Sequence, residues 1–201
     1  MKIIVWNSQD KCVADYHKLI RGCDVLCLLD CGQWTVPMYA LQIQNGLFHW
    51  KDEHEGLSYD IFYCLEKVAF VCRDGLYSGE SVLYSIHSNI GSLIGIRLQD
   101  DFWLFAHHEP NLVNAYHIGE FYLREISDRF RKAAFIADFK KKSYSWVQET
   151  VGKLYCIALP EGYYPHTVNY LFTIHVACTD LYLLEGYSET SNQPTFFELD
   201  I

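Results

Sequence analysis

The chain has 201 residues, 50% of them hydrophobic and 16% aromatic, which is enough apolar material for one domain with a substantial core over residues 1–201. No run of 18 or more apolar residues occurs and the amino terminus carries no signal-peptide pattern, so the sequence predicts no membrane span and a cytoplasmic location, with export by a non-classical route left open. The formal net charge of -9 argues against nucleic acid as a partner, although six of the 16 Lys and Arg residues fall between positions 129 and 142.

In chain order, apolar residues 2–6 predict a buried strand, residues 10–20 a helix that ends at Arg21-Gly22, and residues 24–29 a second buried strand parallel to the first. An antiparallel meander of short strands is predicted over residues 59–65, 68–72, 81–87, 92–98 and 102–106. A long amphipathic helix is then predicted over residues 114–132, with further strands at 133–137, 154–158, 168–174, 181–185 and 194–199. This order predicts an α/β fold, a two-layer β-sandwich of mixed sheets flanked by helices.

The eight cysteines are spread through apolar segments, as Cys64 and Cys72 are, where reduced and buried thiols are common. Cys23, Cys27 and Cys31 are spaced by four, which invites a zinc interpretation. Their segment has the pattern of a strand, however, and no C-x-x-C pair occurs in the chain. The sequence therefore predicts free thiols in a reducing compartment.

Six segments carry a recognisable series of patterns: IIVWN at 3–7, CDVLCLLDCG at 23–32, GSLIGIRLQDDFWLFAHHEPN at 91–111, AAFIADFK at 133–140, VNYLF at 168–172 and SNQPTFFEL at 191–199. In this order they resemble the endonuclease/exonuclease/phosphatase superfamily, to which deoxyribonuclease I belongs. Within that superfamily they are most similar to the nuclease subunit of cytolethal distending toxins. The resemblance covers most of the chain and implies a deoxyribonuclease I-like fold.

The resemblance also implies a phosphate-cleaving site, in which divalent ions polarise the phosphate, carboxylates hold the ions and histidines transfer protons. Three positions keep the superfamily's residue: Asn7 for metal and phosphate, His107 as the catalytic histidine, and Asp138 in the pattern G-D-F-N. Asp30 stands where the superfamily has a metal-binding glutamate. Its side chain is one methylene shorter, which sets the carboxylate roughly 1.5 Å back from an ion whose ligands lie at about 2.1 Å.

Five other positions depart from the superfamily's pattern. Gly91 replaces an arginine that grips phosphate, Lys140 replaces an asparagine, Asn169 and Asn192 replace aspartates, and Gln193 replaces a histidine. The amides keep the shape but carry no charge and do not titrate near neutral pH, whereas the new lysine is a cation that can bind phosphate without a metal. If these residues act as a unit, each loss lowers the rate by roughly 10² to 10⁴.

Structural roles remain alternatives for two of the retained residues. His107 can be a hydrogen-bonding histidine at a strand end, with the adjacent His108 at the surface, because neighbouring strand residues point to opposite faces. Asp138 can simply end a strand and cap a turn.

The sequence therefore predicts a degenerate member of this superfamily, a pseudoenzyme that binds a protein partner or a phosphate-bearing ligand and needs no cofactor. The alternative is a residual Mg²⁺-dependent phosphodiesterase or phosphatase in which Asp30 and Asp138 hold the ion and His107 transfers protons. A third alternative is an unrelated α/β interaction domain, which would lack two face-to-face sheets.

Overall fold

The computed structural model of the chain describes residues 1–8, 18–31, 36–44, 46–52, 56–64, 68–85, 92–108, 128–139, 153–155, 168–184 and 194–201. Strands dominate these residues: β1 Lys2–Asn7, β2 Val25–Leu29, β3 Leu41–Gln44, β4 Leu47–Lys51, β5 Ser58–Cys64, β6 Val68–Arg73, β7 Tyr77–Ser85, β8 Ser92–Leu98, β9 Phe102–His108, β10 Lys132–Phe139, β11 Lys153–Tyr155, β12 Val168–Ile174, β13 Ala177–Leu183 and β14 Thr195–Asp200. Helical turns lie at 18–20 and 128–129, and a 3₁₀ turn at Gln99–Asp101. No helix within these ranges is long and apolar enough to cross a membrane.

The strands form two mixed sheets. Eight strands make the first sheet, in the order β13-β14-β1-β2-β6-β5-β4-β3, and six make the second, in the order β11-β12-β10-β9-β8-β7. One pair near the middle of each sheet is parallel, β1 with β2 and β9 with β10. The predicted two-layer sandwich of mixed sheets is confirmed. The predicted helix at 10–20 is described only at residues 18–20, which are helical, and the one at 114–132 lies mostly outside the described residues.

The two parallel strands near the amino terminus carry apolar side chains on both faces, because both faces pack in the core. All five residues of β2 are fully buried, as expected for a central strand covered on both faces. In β1 the side chains alternate, so that Ile3 and Val5 pack between the two sheets, whereas Ile4 and Trp6 pack on the outer face of the first sheet. Leu19, from the short helical turn, covers that outer face. Each large apolar side chain buried in this way contributes about 1.5–3 kcal/mol.

The predicted meander over residues 59–106 is wrong in one respect. β5 and β6 belong to the first sheet and β7, β8 and β9 to the second, because the chain changes sheets at the turn of residues 74–75. A turn containing Asp-Gly can join two neighbouring strands of one sheet, or it can lead the chain from one sheet to the other. The sequence alone does not distinguish these two connections.

In the first sheet, one hairpin and the start of one strand also differ from the prediction. The hairpin of β3 and β4 was not predicted, because β3 is an edge strand on which Leu41 and Ile43 are exposed and no continuous apolar run marks it. β13 begins at Ala177 rather than at residue 181, since its first four residues are mostly exposed and include no large apolar side chain.

Four cysteines in and beside the first sheet have buried thiols. Cys23, Cys27, Cys31 and Cys72 form no disulfide. Burial, with a smaller contribution from neighbouring Asp24, raises the pKa of Cys23 to about 12, and burial raises the pKa of Cys27 and of Cys72 well above the usual range. Cys27 packs between the sheets while Cys23 and Cys31 pack on the outer face, so these three thiols cannot share a zinc ion. The predicted free thiols are confirmed at these four positions.

We expect Cys23, Cys27 and Cys72 to resist iodoacetamide in the folded protein at pH 8, while the half-buried Cys178 reacts. The folded state keeps the buried thiols protonated to a higher pH than the unfolded chain, whose thiols titrate near 9.0. The free energy of unfolding should therefore fall as the pH rises from about 9 towards 12. Peptide mapping after a labelling pulse measures each thiol separately, and labelling of Cys27 as fast as Cys178 would contradict the buried arrangement.

Candidate functional site

The carboxyl ends of β1 and β2 lie side by side at one edge of the first sheet. Asn7, the last residue of β1, pairs with Leu29, the last residue of β2, in the parallel ladder, and it is only 5% exposed. Ser8 donates its backbone N–H to the Leu29 carbonyl oxygen at 2.8 Å, which holds the two strand ends together. Asp30 follows immediately after β2. Two of the predicted site residues, Asn7 and Asp30, are therefore neighbours at this edge.

Asp30 has a left-handed backbone conformation, with φ at 49°. Only glycine adopts this region freely, and among other residues aspartate and asparagine tolerate it best because their short polar side chains can hydrogen-bond locally. The side chain is partly exposed. The backbone at the end of β2 therefore favours the short carboxylate found here over the longer glutamate of the superfamily.

Three further predicted positions lie together on adjacent strands of the second sheet. His107 of β9 pairs with Ala137 of β10, the residue before Asp138. Asp138 in turn pairs directly with Asn169 of β12. The parallel strands β9 and β10 thus end at the same edge of the sheet, and the backbone positions of His107, Asp138 and Asn169 are neighbours there.

The His107 ring is completely buried, with 0% exposure. It stacks on Phe135, with ring centroids 6.4 Å apart and planes inclined by 26°. Phe135 pairs with Phe105 across β9 and β10, and both lie on the opposite face from Ala106 and Ile136, which pack between the sheets. His107 is therefore part of an aromatic layer on the outer face of the second sheet.

The remaining predicted site residues, Gly91, Lys140, Asn192 and Gln193, lie outside the described residues. Among the described positions, the oxygen donors available to a hard cation at the first-sheet edge are the amide of Asn7 and the carboxylate of Asp30. Magnesium is bound in proteins by one or two carboxylates together with water. With one carboxylate and one amide oxygen, this set has the smallest number of carboxylates that holds a magnesium ion.

Sequence reasoning missed a second group of possible metal ligands. His49, Asp60 and Asp74 have ligand atoms that all lie within 4.8 Å of one another. His49 and Asp60 face each other across β4 and β5, with Nδ1 and Oδ1 3.0 Å apart. The three residues have no motif spacing, and only the strand pairing brings them together, so no signal in the sequence identifies them.

Comparison with known proteins finds similarity in structure only. No protein-family model matches the chain, and no curated protein matches its sequence. The cytolethal distending toxin of Haemophilus ducreyi has a chain that superposes with a TM-score of 0.70 at 14% identity, covering 100% of this chain and 98% of that one. Humanised TDP2 of D. rerio gives a TM-score of 0.66 at 11% identity, covering 100% and 99%. An endonuclease/exonuclease/phosphatase from Beutenbergia cavernae gives 0.60 at 13% identity, covering 100% and 71%.

The chain has the endonuclease/exonuclease/phosphatase fold. The order of its motifs predicted this fold, and the prediction is confirmed over the whole length of the chain. At identities of 10–14% the likeness establishes the fold and leaves the chemistry to be argued from the residues. In this sandwich, Asn7, Asp30, His107 and Asp138 lie at the ends of two parallel strand pairs, one in each sheet.

The left-handed backbone at Asp30 can be tested with two substitutions that both remove the charge. We expect Asp30→Asn to be more stable than Asp30→Ala by about 1 kcal/mol, because asparagine tolerates the left-handed region and alanine does not. Urea denaturation of the two variants measures the difference, and the comparison cancels the loss of the carboxylate, which is common to both. Equal midpoints would show that the backbone at residue 30 does not restrict the side chain.

Proposed function

We propose that this chain is a degenerate protein of the endonuclease/exonuclease/phosphatase fold, severely impaired as a hydrolase, that acts by binding a protein partner or a phosphate-bearing ligand. The observation that carries the proposal is the burial of His107, the residue that would transfer protons, against Phe135. The other support comes from the substituted positions at the strand ends.

A general acid or base must come within hydrogen-bonding distance of the reacting oxygen, directly or through one water. The His107 ring has no exposed surface and packs in the aromatic layer with Phe105 and Phe135. A ring so enclosed does not meet a phosphate ester without a rearrangement of its strand. This burial supports a structural role for His107.

The capacity of the site to hold a cation is also reduced, in this case by substitutions. Asp30 brings a carboxylate that is one methylene shorter than glutamate, and Asn169, the register partner of Asp138, stands where the superfamily has a second aspartate. Two more ionisable groups are lost, because Asn192 replaces an aspartate and Gln193 replaces a histidine. Lys140 adds a positive charge where the superfamily has an asparagine. A site with fewer anionic ligands binds divalent ions less tightly, because ligand charge and geometry set the affinity.

The substitutions suit recognition better than hydrolysis. Lysine and amide side chains donate hydrogen bonds to phosphate oxygens or to the carboxylates of a partner and need no metal for this contact. The fold supplies a rigid frame for such groups whether or not the chemistry survives. A protein partner is the ligand we favour, with a phosphate-bearing small molecule as the second possibility.

The second candidate function is a residual Mg²⁺-dependent phosphodiesterase or phosphatase, acting on a nucleic acid or a phosphoinositide. The neighbouring positions of Asn7 and Asp30 favour it, since together they offer two oxygen ligands at adjacent strand ends. In this case Asp30 and Asp138 would hold the ion and His107 would transfer protons.

Turnover assays distinguish the two candidates. We expect no chelator-sensitive hydrolysis of bis(p-nitrophenyl) phosphate, supercoiled plasmid or a short-chain phosphoinositide above the background of the His107→Ala variant, with deoxyribonuclease I as the active control on the plasmid. Losses of roughly 10² to 10⁴ per missing group account for such a result. Wild-type hydrolysis that requires Mg²⁺ and disappears in a His107→Ala variant whose thermal unfolding matches that of the wild type would instead establish the residual enzyme.

A reverted variant gives this experiment a positive arm. Asp30→Glu, Lys140→Asn, Asn192→Asp and Gln193→His together restore the superfamily's residues at four positions. If the substitutions rather than the burial of His107 cause the loss of chemistry, this variant should hydrolyse bis(p-nitrophenyl) phosphate faster than the wild type by at least about 10²-fold. Its thermal unfolding must first match that of the wild type, so that a failure is not the result of misfolding. An unchanged rate would assign the loss to the buried ring.

A further inference from the structure

We propose that His49, Asp60 and Asp74 form a binding site for one divalent transition-metal ion, best suited to Zn²⁺, at the end of the first sheet opposite to Asn7 and Asp30. The three residues come from β4, from β5 and from the turn after β6. Their ligand atoms lie within 4.8 Å of one another. This inference does not depend on the proposed function.

The backbone brings the three side chains together. His49 and Asp60 are register partners in the antiparallel pair β4–β5, so their side chains project from the same face of the sheet. Asp74 is held next to β5, because its backbone N–H donates a hydrogen bond to the carbonyl oxygen of Ser58, the first residue of that strand, at 2.9 Å. Gly75, with φ at 82°, supplies the left-handed residue that completes the turn.

The charges of the cluster call for a cation. Asp60 and Asp74 carry two carboxylates close together, and the group within ion-pair distance of Asp60 is the imidazole of His49. Over the described ranges, neither carboxylate forms an ion pair with a lysine or arginine. Arg73, the last residue of β6, forms an ion pair with Asp24 instead, with Nη1 and Oδ1 3.6 Å apart. A divalent ion would neutralise both carboxylates at once.

The donor set selects the kind of metal. One imidazole nitrogen and two carboxylate oxygens suit zinc and its neighbours in the first transition row, whereas magnesium prefers oxygen ligands and retained water. Ligand atoms around a zinc ion at 2.0–2.2 Å are separated by about 3.3 Å. The Nδ1–Oδ1 distance of 3.0 Å is close to this value, so binding requires small rotations that turn the His49 ring and the Asp60 carboxylate towards the ion, and a movement of the exposed Asp74 carboxylate.

Three protein ligands leave room for water or a further ligand as the fourth. The imidazole must bind through an unprotonated Nδ1, so the ion takes the place of the direct Nδ1–Oδ1 contact with Asp60. Asp60 is 17% exposed and His49 34% exposed at the side chain, which gives an ion an entry path from solvent.

The cluster is separate from the predicted phosphate-cleaving site. Asp60 pairs with Cys72, and Cys72 pairs with Val25 at the amino end of β2, whereas Asp30 follows the carboxyl end of the same strand. Asp30 lies five positions after Val25, a distance of about 16 Å along the strand direction. The bound ion would tie the β4–β5 hairpin to the turn through which the chain passes from the first sheet to the second.

Zinc titration of the full chain tests the site. We expect one zinc ion per chain, a change in the His49 Nδ1 resonance, and a rise in the unfolding temperature of about 5 to 10 °C at a hundred times the dissociation constant. His49→Gln and Asp74→Asn should each weaken zinc binding by at least about 10-fold. Both replace partly exposed or exposed side chains, so they should fold, and their melting temperatures without metal verify this.

Asp200→Asn is the matched control, because Asp200 is an exposed aspartate on β14, remote from the cluster. It should bind zinc as the wild type does. The proposal is overturned if zinc does not bind, if His49→Gln and Asp74→Asn bind it with unchanged affinity, or if Asp200→Asn loses as much affinity as Asp74→Asn. A His49 resonance that does not move while zinc binds elsewhere, for example at a thiol, overturns it equally.

Discussion

Burial of β1 and β2 on both faces is the constraint on which the rest of the molecule depends. The residues of β2 are enclosed between the inter-sheet cluster and the outer cluster, and Ile3 and Val5 of β1 pack against the second sheet. Strands enclosed in this way cannot shift register without exposing a whole set of apolar side chains. The positions of Asn7 and Asp30 at the strand ends are therefore fixed by packing, independently of any chemistry performed there. A fold of this kind can keep its geometry while its ligand-binding residues change.

The candidate site shows what such changes do in physical terms. The backbone at residue 30 favours a short side chain, and the His107 ring lies in an aromatic layer on the outer face. Hydrolysis of a phosphate ester needs both a closely held cation and an accessible proton donor or acceptor. The described residues retain part of the first requirement and bury the residue meant for the second. Recognition needs neither, which is why binding is the function we favour.

The sequence predicted the enclosed parts of the fold well and the exposed parts poorly. Continuous apolar runs marked β2 and β6 almost to the residue, because burial on both faces leaves a strong pattern. The edge strand β3 has its apolar side chains in solvent and was missed, and a short turn did not reveal that β6 and β7 belong to different sheets. The motif order also predicted which strand ends carry Asn7, Asp30, His107 and Asp138. The burial of His107 and the meeting of His49 with Asp60 depend on packing and register, which motif spacing does not contain.

The central claim is that the cation pocket beside Asn7 and Asp30 is impaired. Its most direct test is a titration with Mn²⁺, a paramagnetic substitute for Mg²⁺, in which the broadening of backbone amide resonances is measured. His49→Gln is the suitable background, because it removes the competing cluster on β4 and β5. Our account predicts that the amides of Asn7 and Asp30 keep their line widths at Mn²⁺ concentrations that saturate an active enzyme of this fold. Selective broadening of these two amides at low Mn²⁺, reversed by excess Mg²⁺, would show that the cation pocket is intact and would contradict the account.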